Sequence, residues 1–312
     1  MGHFISLKYF SPAEIKELVA LAGEIKKRPS GFSKSLKDKS IGLLFEKPSL
    51  RTKTAFYLGA LQLGGQPLYY SSEEVKLGKR EEIKDVARTF SCYLDAVVIR
   101  TFSQKVLAEF AQFSSKPVIN GLSDFLHPSQ VLADILTIQE VKGDITKLKV
   151  VYSGDTNNVC NSLIYIFAKL GGDLRIAVPR KYMPARSLVK EADEFCKKSC
   201  ASIKIYNSLD KAVKGADVIY TDVWTSMGKE KERASRKKDF KKFQINDKIL
   251  KLAKSNCIVM HCLPAHRGEE ITDSVIEGKN AKVFSQAENR LYAAKAILLS
   301  MVAQKPKKGG KK

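Results

Sequence analysis

The feature that most constrains this chain is a repeated alternation of short apolar runs with amphipathic stretches. Residues 40–46, 96–99 and 117–119 read as strands: each run is too short for a helix and is bounded by polar residues. Residues 14–27, 51–63 and 128–141 between and after them carry apolar positions at helical spacing. The pattern restarts in the second half, with strands at 148–152, 174–178, 201–206, 218–221 and 258–260. Helices fall between them at 161–170, 185–199 and 209–214, and a last one is expected over 288–304. Strands separated by helices pair in parallel and are covered on both faces. The expected class is therefore α/β, with two doubly wound parallel-sheet domains. A length of 312 residues also favours two cores over one. Ser11-Pro12-Ala13-Glu14 predicts a capping box, with Ser11 as the cap and Glu14 reaching back to it.

Composition removes several classes. With 44% hydrophobic and 28% charged residues the chain is globular rather than disordered. No run of 18 apolar residues occurs, and the N-terminus has no basic segment followed by an apolar one. A cytoplasmic location is the expectation. The six cysteines then read as free thiols, and their spacings are not those of a paired zinc site. The net charge of +21 favours anionic partners. Five lysines lie in the last eight residues, and eight bases against three acids lie in 229–242. Both segments read as lysine-rich surface. Neither interleaves aromatics that would stack on single strands.

In open parallel sheets, ligands bind beyond the carboxyl ends of the strands. After the first strand, Ser49, Leu50, Arg51 and Thr52 open a helix. Hydroxyls, a guanidinium and free backbone N–H groups together make a phosphate cradle, although helix capping with surface bases fits the same residues. Neither GxxxxGK[ST] nor GxGxxG occurs, so a P-loop or dinucleotide site is unsupported. Arg100 ends the strand at 96, where it would serve an anion or an ordinary salt bridge. His127 and Gln130 stand at a helix start. A neutral imidazole there could polarise a carbonyl, and a glutamine could accept from an amide; capping alone is the alternative. Asn158 suits a carboxylate or a cap, and Asp222 suits an ammonium group or a turn. His261, Cys262 and His266 do not form a recognisable metal set, so no metal is expected. Cys262 reads as a nucleophile or a packed thiol.

Taken together these motifs resemble the carbamoyltransferase family, and within it the ornithine branch, from residues 3–8 to 287–298. Ser49-Leu50-Arg51-Thr52 resembles the S-x-R-T carbamoyl-phosphate loop. His127-Pro128-Ser129-Gln130 resembles H-P-x-Q, and His261-Cys262-Leu263-Pro264 is the H-C-L-P of the ornithine branch. The segment from Asp222 to Ser226-Met227-Gly228 resembles the loop that closes over ornithine.

The resemblance implies a carbamoyl-phosphate-binding domain at 1–141 and an ornithine-binding domain at 142–287. It also implies a helix at 288–304 returning to the first domain, followed by a basic disordered tail at 305–312. Ser49, Leu50, Arg51 and Thr52 would hold phosphate, with Arg100 and Arg290 completing the anion site. His127 would polarise the carbonyl, Gln130 and the Leu263 backbone would take the amide, and Cys262 would lie near the reacting amine. Asn158, Asp222, Ser226 and Met227 would bind ornithine. The catalytic group would be Arg51, Arg100, His127 and Cys262.

The implied reaction is carbamoyl transfer to the δ-amine of L-ornithine, giving citrulline and phosphate in arginine metabolism, with no cofactor. The implied assembly is a homotrimer, or a multiple of it, with active sites shared between subunits. One position departs from the pattern: Lys76 stands where the ornithine branch has Gln in a loop reaching a neighbouring subunit's carbamoyl phosphate. Two other readings fit the sequence. One is a carbamoyltransferase for another amine, such as putrescine or an acylated ornithine. The other is a basic nucleic-acid-binding protein on this scaffold, for which the residues give little support.

Overall fold

The computed structural model describes residues 2–303, so the tail expected at 305–312 lies outside the described residues. By its internal contacts the chain divides into two units. Among the described residues, the first takes in 2–5, 20–123 and 291–303; the second takes in Ser6–Val19 and Asp124–Arg290.

The first unit is built on a four-stranded, all-parallel sheet. Its strands are β1 (Ser40–Phe45), β2 (Gln66–Ser71), β3 (Ala96–Arg100) and β4 (Val118–Leu122), in the order β2-β1-β3-β4. Helix α1 (Pro12–Lys27) starts at the expected capping box: Ser11 N–H donates to Glu14 at 2.7 Å and Glu14 N–H to the Ser11 hydroxyl at 3.2 Å. Helices α2 (Arg51–Gln62), α3 (Ile83–Tyr93) and α4 (Gln104–Phe113) connect the strands. β2, α3 and α4 had no counterpart in the sequence reading. β2 is half-exposed and broken by Pro67, so it shows no apolar run. β1 and β3 are continuous apolar strands, buried almost throughout as the inner strands of a parallel sheet must be.

The second unit carries a five-stranded parallel sheet. Its strands are β5 (Lys149–Ser153), β6 (Asp173–Ala177), β7 (Ser202–Tyr206), β8 (Val218–Thr221) and β9 (Ile258–His261), in the order β7-β6-β5-β8-β9. Its helices are α5 (Pro128–Lys142), α6 (Asn158–Leu170), α7 (Arg186–Ser199), α8 (Leu209–Val213) and α9 (Arg233–Phe240). Helix α10 (Val283–Val302) begins five residues before the start read from the sequence.

The break in contacts at Ser123 falls earlier than the join read at 141/142. Helix α5 has eleven consecutive buried residues, Pro128–Ile138. It is also tied into the second unit, since Asn289 donates to Thr137 at 2.9 Å and His127 N–H to Ser162 at 2.8 Å. The segment from Leu291 packs in the first unit, where a Cβ on Gly59 would meet Ala294, Lys295 and Leu298 at ordinary contact distance.

Both sheets reverse their strand order once, at β1/β3 and at β5/β8. Such switch points open a crevice at the strand ends. The segments leaving β1, β3, β5 and β8 carry Ser49, Arg100, Asn158 and Asp222 respectively.

Candidate active site

In the first unit, the exits of β1 and β3 are joined. Glu46 N–H donates to the Arg100 carbonyl at 2.8 Å, and the Thr101 hydroxyl donates to the Glu46 carboxylate. Ser49 then caps α2 by accepting from Thr52 N–H at 3.2 Å. The first turn of α2 holds Arg51 and a buried Thr52 and contains no acidic residue. No side chain of that turn therefore offsets the positive end of the helix. Leu50 is largely exposed. Arg100 is 91% buried at the end of β3, a position that demands anionic or carbonyl partners.

Sequence reasoning missed Lys47. It is buried with its ammonium 4.0 Å from the centre of the Phe102 ring, adding another positive charge beyond the strand ends. Its signal is faint, since one lysine in a polar loop looks like surface. Lys76 is exposed and takes the left-handed conformation (φ 45°) after the one-turn helix Ser72–Val75.

In the second unit, α6 is capped by Asn157, whose carbonyl oxygen accepts from Val159 and Cys160 N–H at 3.0 and 3.1 Å. The Asn157 amide nitrogen donates to Asp222 at 2.6 Å, so the cap also fixes the carboxylate leaving β8. The sequence reading chose Asn158, which stands at the first helical position; Asn157 is the residue that holds Asp222. Gly154 links β5 to this turn at φ 144°, a conformation that L side chains rarely adopt.

Arg236 is a second omission. It sits in the segment read as solvated basic surface, yet its side chain is 96% buried. It pairs with Asp155 at 2.7 Å, Glu232 at 2.8 Å and the Trp224 carbonyl at 3.0 Å. It thereby ties α9 to the β5 turn and to the loop that begins at Asp222. In that loop Ser226 accepts a turn bond from Lys229 N–H at 3.0 Å, and Met227 is exposed.

At the end of β9, His261 Nδ1 accepts from Leu263 N–H at 2.9 Å, so Nε2 carries the proton of the neutral ring and faces Glu270 at 3.1 Å. Leu263 is held at φ 57°, a strained value for a leucine. Asp222, His261 and Cys262 place ligand atoms within 4.8 Å of one another. Both nitrogens of His261 are engaged, however, and a cation there would have to break one of those bonds. Burial, then the charge of Asp222, pushes the Cys262 thiol well above its ordinary range, so it is held protonated.

On α5, His127 stands at the N-cap with Nδ1 3.4 Å from the Ser129 hydroxyl. One turn on, the Gln130 amide donates to Asp134 at 2.8 Å, and Gln286 donates to the same oxygen at 2.7 Å. Burial lifts the Asp134 carboxyl to about 7; hydrogen bonds from Gln130 and Gln286 and the charge of Arg290 oppose the shift. The positive charge of Arg290 also acts on Cys262, so these residues belong to one cluster.

Two family models cover nearly all of the chain. "Aspartate/ornithine carbamoyltransferase, carbamoyl-P binding domain" matches residues 2–140, and "Aspartate/ornithine carbamoyltransferase, Asp/Orn binding domain" matches 146–301. Ornithine carbamoyltransferase of Archaeoglobus fulgidus is 46% identical over 306 residues, covering 97% of this chain and 98% of that one. The structure of ornithine carbamoyltransferase from Pyrococcus furiosus superposes with a TM-score of 0.93 at 43% identity, covering 96% of each chain. The anabolic enzyme of Campylobacter jejuni gives a TM-score of 0.92 at 40% identity, over 96% of this chain and 99% of that one. Matched by both family models over nearly its whole length and by full-length relatives at more than 40% identity, this chain belongs to the aspartate/ornithine carbamoyltransferase family.

Proposed function

We propose that the protein transfers the carbamoyl group of carbamoyl phosphate to the δ-amine of L-ornithine, giving L-citrulline and phosphate. The observation that carries the choice of acceptor is the Asp222 carboxylate. It leaves β8 nearly buried, is fixed by Asn157 and is followed by Ser226 and Met227. A fixed, buried carboxylate fits the α-ammonium group of a free amino acid, which an acylated ornithine lacks.

In this reading Ser49, Leu50, Arg51, Thr52 and Lys76 bind phosphate, with Arg100 and Arg290 adding charge. Gln130 and Leu263 bind the carbamoyl amide, and Asn158 binds the ornithine carboxylate. The neutral δ-amine attacks the carbonyl carbon, negative charge grows on the carbonyl oxygen, the C–O bond to phosphate breaks, and the departing phosphate carries away the proton that the amine nitrogen gives up. Arg51, Arg100 and His127 oppose that charge with positive potential and hydrogen bonds already in place. A protonated Cys262 thiol makes no covalent intermediate; it excludes water beside the amine.

The proposal extends to residues 1–141 as the carbamoyl-phosphate domain and 142–287 as the ornithine domain. It also extends to a cytoplasmic homotrimer with shared sites, which sedimentation would test. Among the described residues no helix is long and apolar enough to cross a membrane.

The deciding experiment offers ornithine, putrescine, N-acetylornithine and aspartate in turn with carbamoyl phosphate. Citrulline formation with strong preference for ornithine is expected. Preference for N-acetylornithine would overturn the role given to Asp222, and preference for putrescine, which has no carboxylate, the role given to Asn158.

A further inference from the structure

Gln130 is 99% buried, and its amide oxygen has no hydrogen-bond partner within the described residues. Buried acceptors are nearly always satisfied, so an orphaned amide oxygen calls for a ligand; Asp134 Oδ2 is a second unpartnered oxygen in the same cluster, but it can carry the carboxyl proton. The network also fixes which end of the amide is orphaned. Asp134 Oδ1 accepts from the Gln130 amide nitrogen at 2.8 Å, and a carboxyl oxygen in that position has no proton to give.

The other partner of Oδ1 is oriented too. Gln286 donates its nitrogen to Asp134 at 2.7 Å while its own oxygen accepts from His261 N–H at 2.9 Å. Bond polarity therefore runs in one sense from the His261 backbone through Gln286 to Asp134. Asp134 in turn holds the Gln130 nitrogen and leaves the Gln130 oxygen as the unpaired end of the amide. Oδ1 stays an acceptor whether the carboxyl is ionised or carries its proton on Oδ2, so the arrangement survives titration of Asp134.

We propose that Asp134 is a specificity-determining positioning residue: it locks the Gln130 amide so that an acceptor, never a donor, meets the donor substrate. This rests on the carbamoyl-transfer reading above. Its consequence is selection between two mixed anhydrides of the same shape. Carbamoyl phosphate presents an NH2 group that satisfies the orphaned oxygen, whereas acetyl phosphate presents a methyl group that leaves it buried and unpaired. Sites built around a hydrogen bond discriminate strongly against analogues that cannot make it. A Gln130 free to turn over would lose that discrimination while keeping every phosphate contact.

The test is calorimetric binding of carbamoyl phosphate and of acetyl phosphate to the full chain, for the wild type, Asp134→Leu, Asp134→Ser and Asp134→Asn. Asp134→Leu removes the acceptor at similar volume. Asp134→Ser withdraws it by shortening the side chain, and answers the question if the leucine variant does not fold. Asp134→Asn keeps an oxygen at the Oδ1 position. Carbamoyl phosphate affinity is expected to fall by about 10- to 100-fold in the Leu or Ser variant, the loss expected for one buried hydrogen bond. Acetyl phosphate affinity should change by less than about threefold, and Asp134→Asn should keep most of the wild-type preference. Equal losses for both ligands would reduce Asp134 to a structural role and overturn the proposal. A loss of preference in Asp134→Asn as large as in Asp134→Leu would also overturn it, since charge rather than polarity would then be at work. Binding is measured without an acceptor amine. A wild type that prefers carbamoyl phosphate but makes no citrulline would sink the function assignment and leave this inference standing.

Discussion

The two units put most of their candidate functional groups at equivalent places, beyond strand ends, but hold them by different physics. The first relies on charge: Arg51, Arg100 and the buried Lys47 beside a helix start with no acid in its first turn. The second relies on orientation. Asp222 is held by Asn157, Asp155 by Arg236, and Gln130 by Asp134, all through short bonds in buried surroundings. A phosphate dianion is recognised by potential, which tolerates small displacements. An amine, an amide and a carbonyl are told apart by the direction of single hydrogen bonds, which does not. Damage to the first unit should therefore appear as lost binding and rate together, and damage to the second as lost discrimination.

The largest expected effect breaks the charge side. Arg100→Ala should lower kcat/KM by about 10³-fold, the scale of removing one preorganised group at developing negative charge. Arg100→Lys should recover only part of it, because a point charge cannot replace the fork of donors. Steady-state kinetics of both variants checks this, and a loss below about tenfold would break the charge-based account of the first unit.

The next effect sharpens the orientation side. Arg236→Ala leaves Asp155 buried without its cation and frees the Trp224 carbonyl; a destabilisation of about 3–5 kcal/mol is the usual scale. The KM for ornithine should rise by about 10- to 100-fold while affinity for carbamoyl phosphate stays near wild type. Denaturant melts and separate titration of the two substrates would show it. Equal weakening of both substrates would mean that the pair supports the whole unit rather than the loop.

A third effect is read in stability rather than rate. Asp134 has a folded-state pKa of about 7, raised by burial from 3.8. The ionised form is disfavoured in the fold, so its contribution is complete below about pH 4 and is lost as pH rises to about 7. Over that window it should lower stability by at most about 1.4 kcal/mol per pH unit, and Asp134→Asn should remove that slope. Parallel stability curves for wild type and variant would contradict the burial of a titrating carboxyl there.

The sequence made much of the fold legible because inner strands of parallel sheets are apolar on both faces. β1, β3, β5 and β8 stand out for that reason. β2 is partly exposed and broken by a proline, so it left no apolar run, and α3 and α4 lie in the same stretch. Candidate site residues that end strands or open helices, such as Ser49, Arg100, His127 and Asp222, could be singled out because topology marks those places. Residues that hold others, Asn157, Arg236, Asp134 and Gln286, could not. Their spacing carries no sign of partners up to 152 residues away, and Arg236 is masked by seven neighbouring bases in 229–242.

The smallest expected effect concerns Cys262, where the two units' styles would be confused if the thiol did covalent work. A nucleophilic cysteine needs an accessible thiolate stabilised by positive surroundings. Cys262 is 93% buried, and burial and then the Asp222 charge favour the thiol, with only Arg290 opposing them. Cys262→Ser keeps the volume and the donor, so kcat should fall by less than about tenfold, with the KM for ornithine moving more than that for carbamoyl phosphate. Rapid-quench kinetics should show no burst of phosphate ahead of citrulline in either form. A burst in the wild type that vanishes in Cys262→Ser, with turnover lost by about 10³-fold or more, would make the thiol a carrier of the carbamoyl group. The orientation network of the second unit would then be serving a covalent step rather than direct attack by the amine.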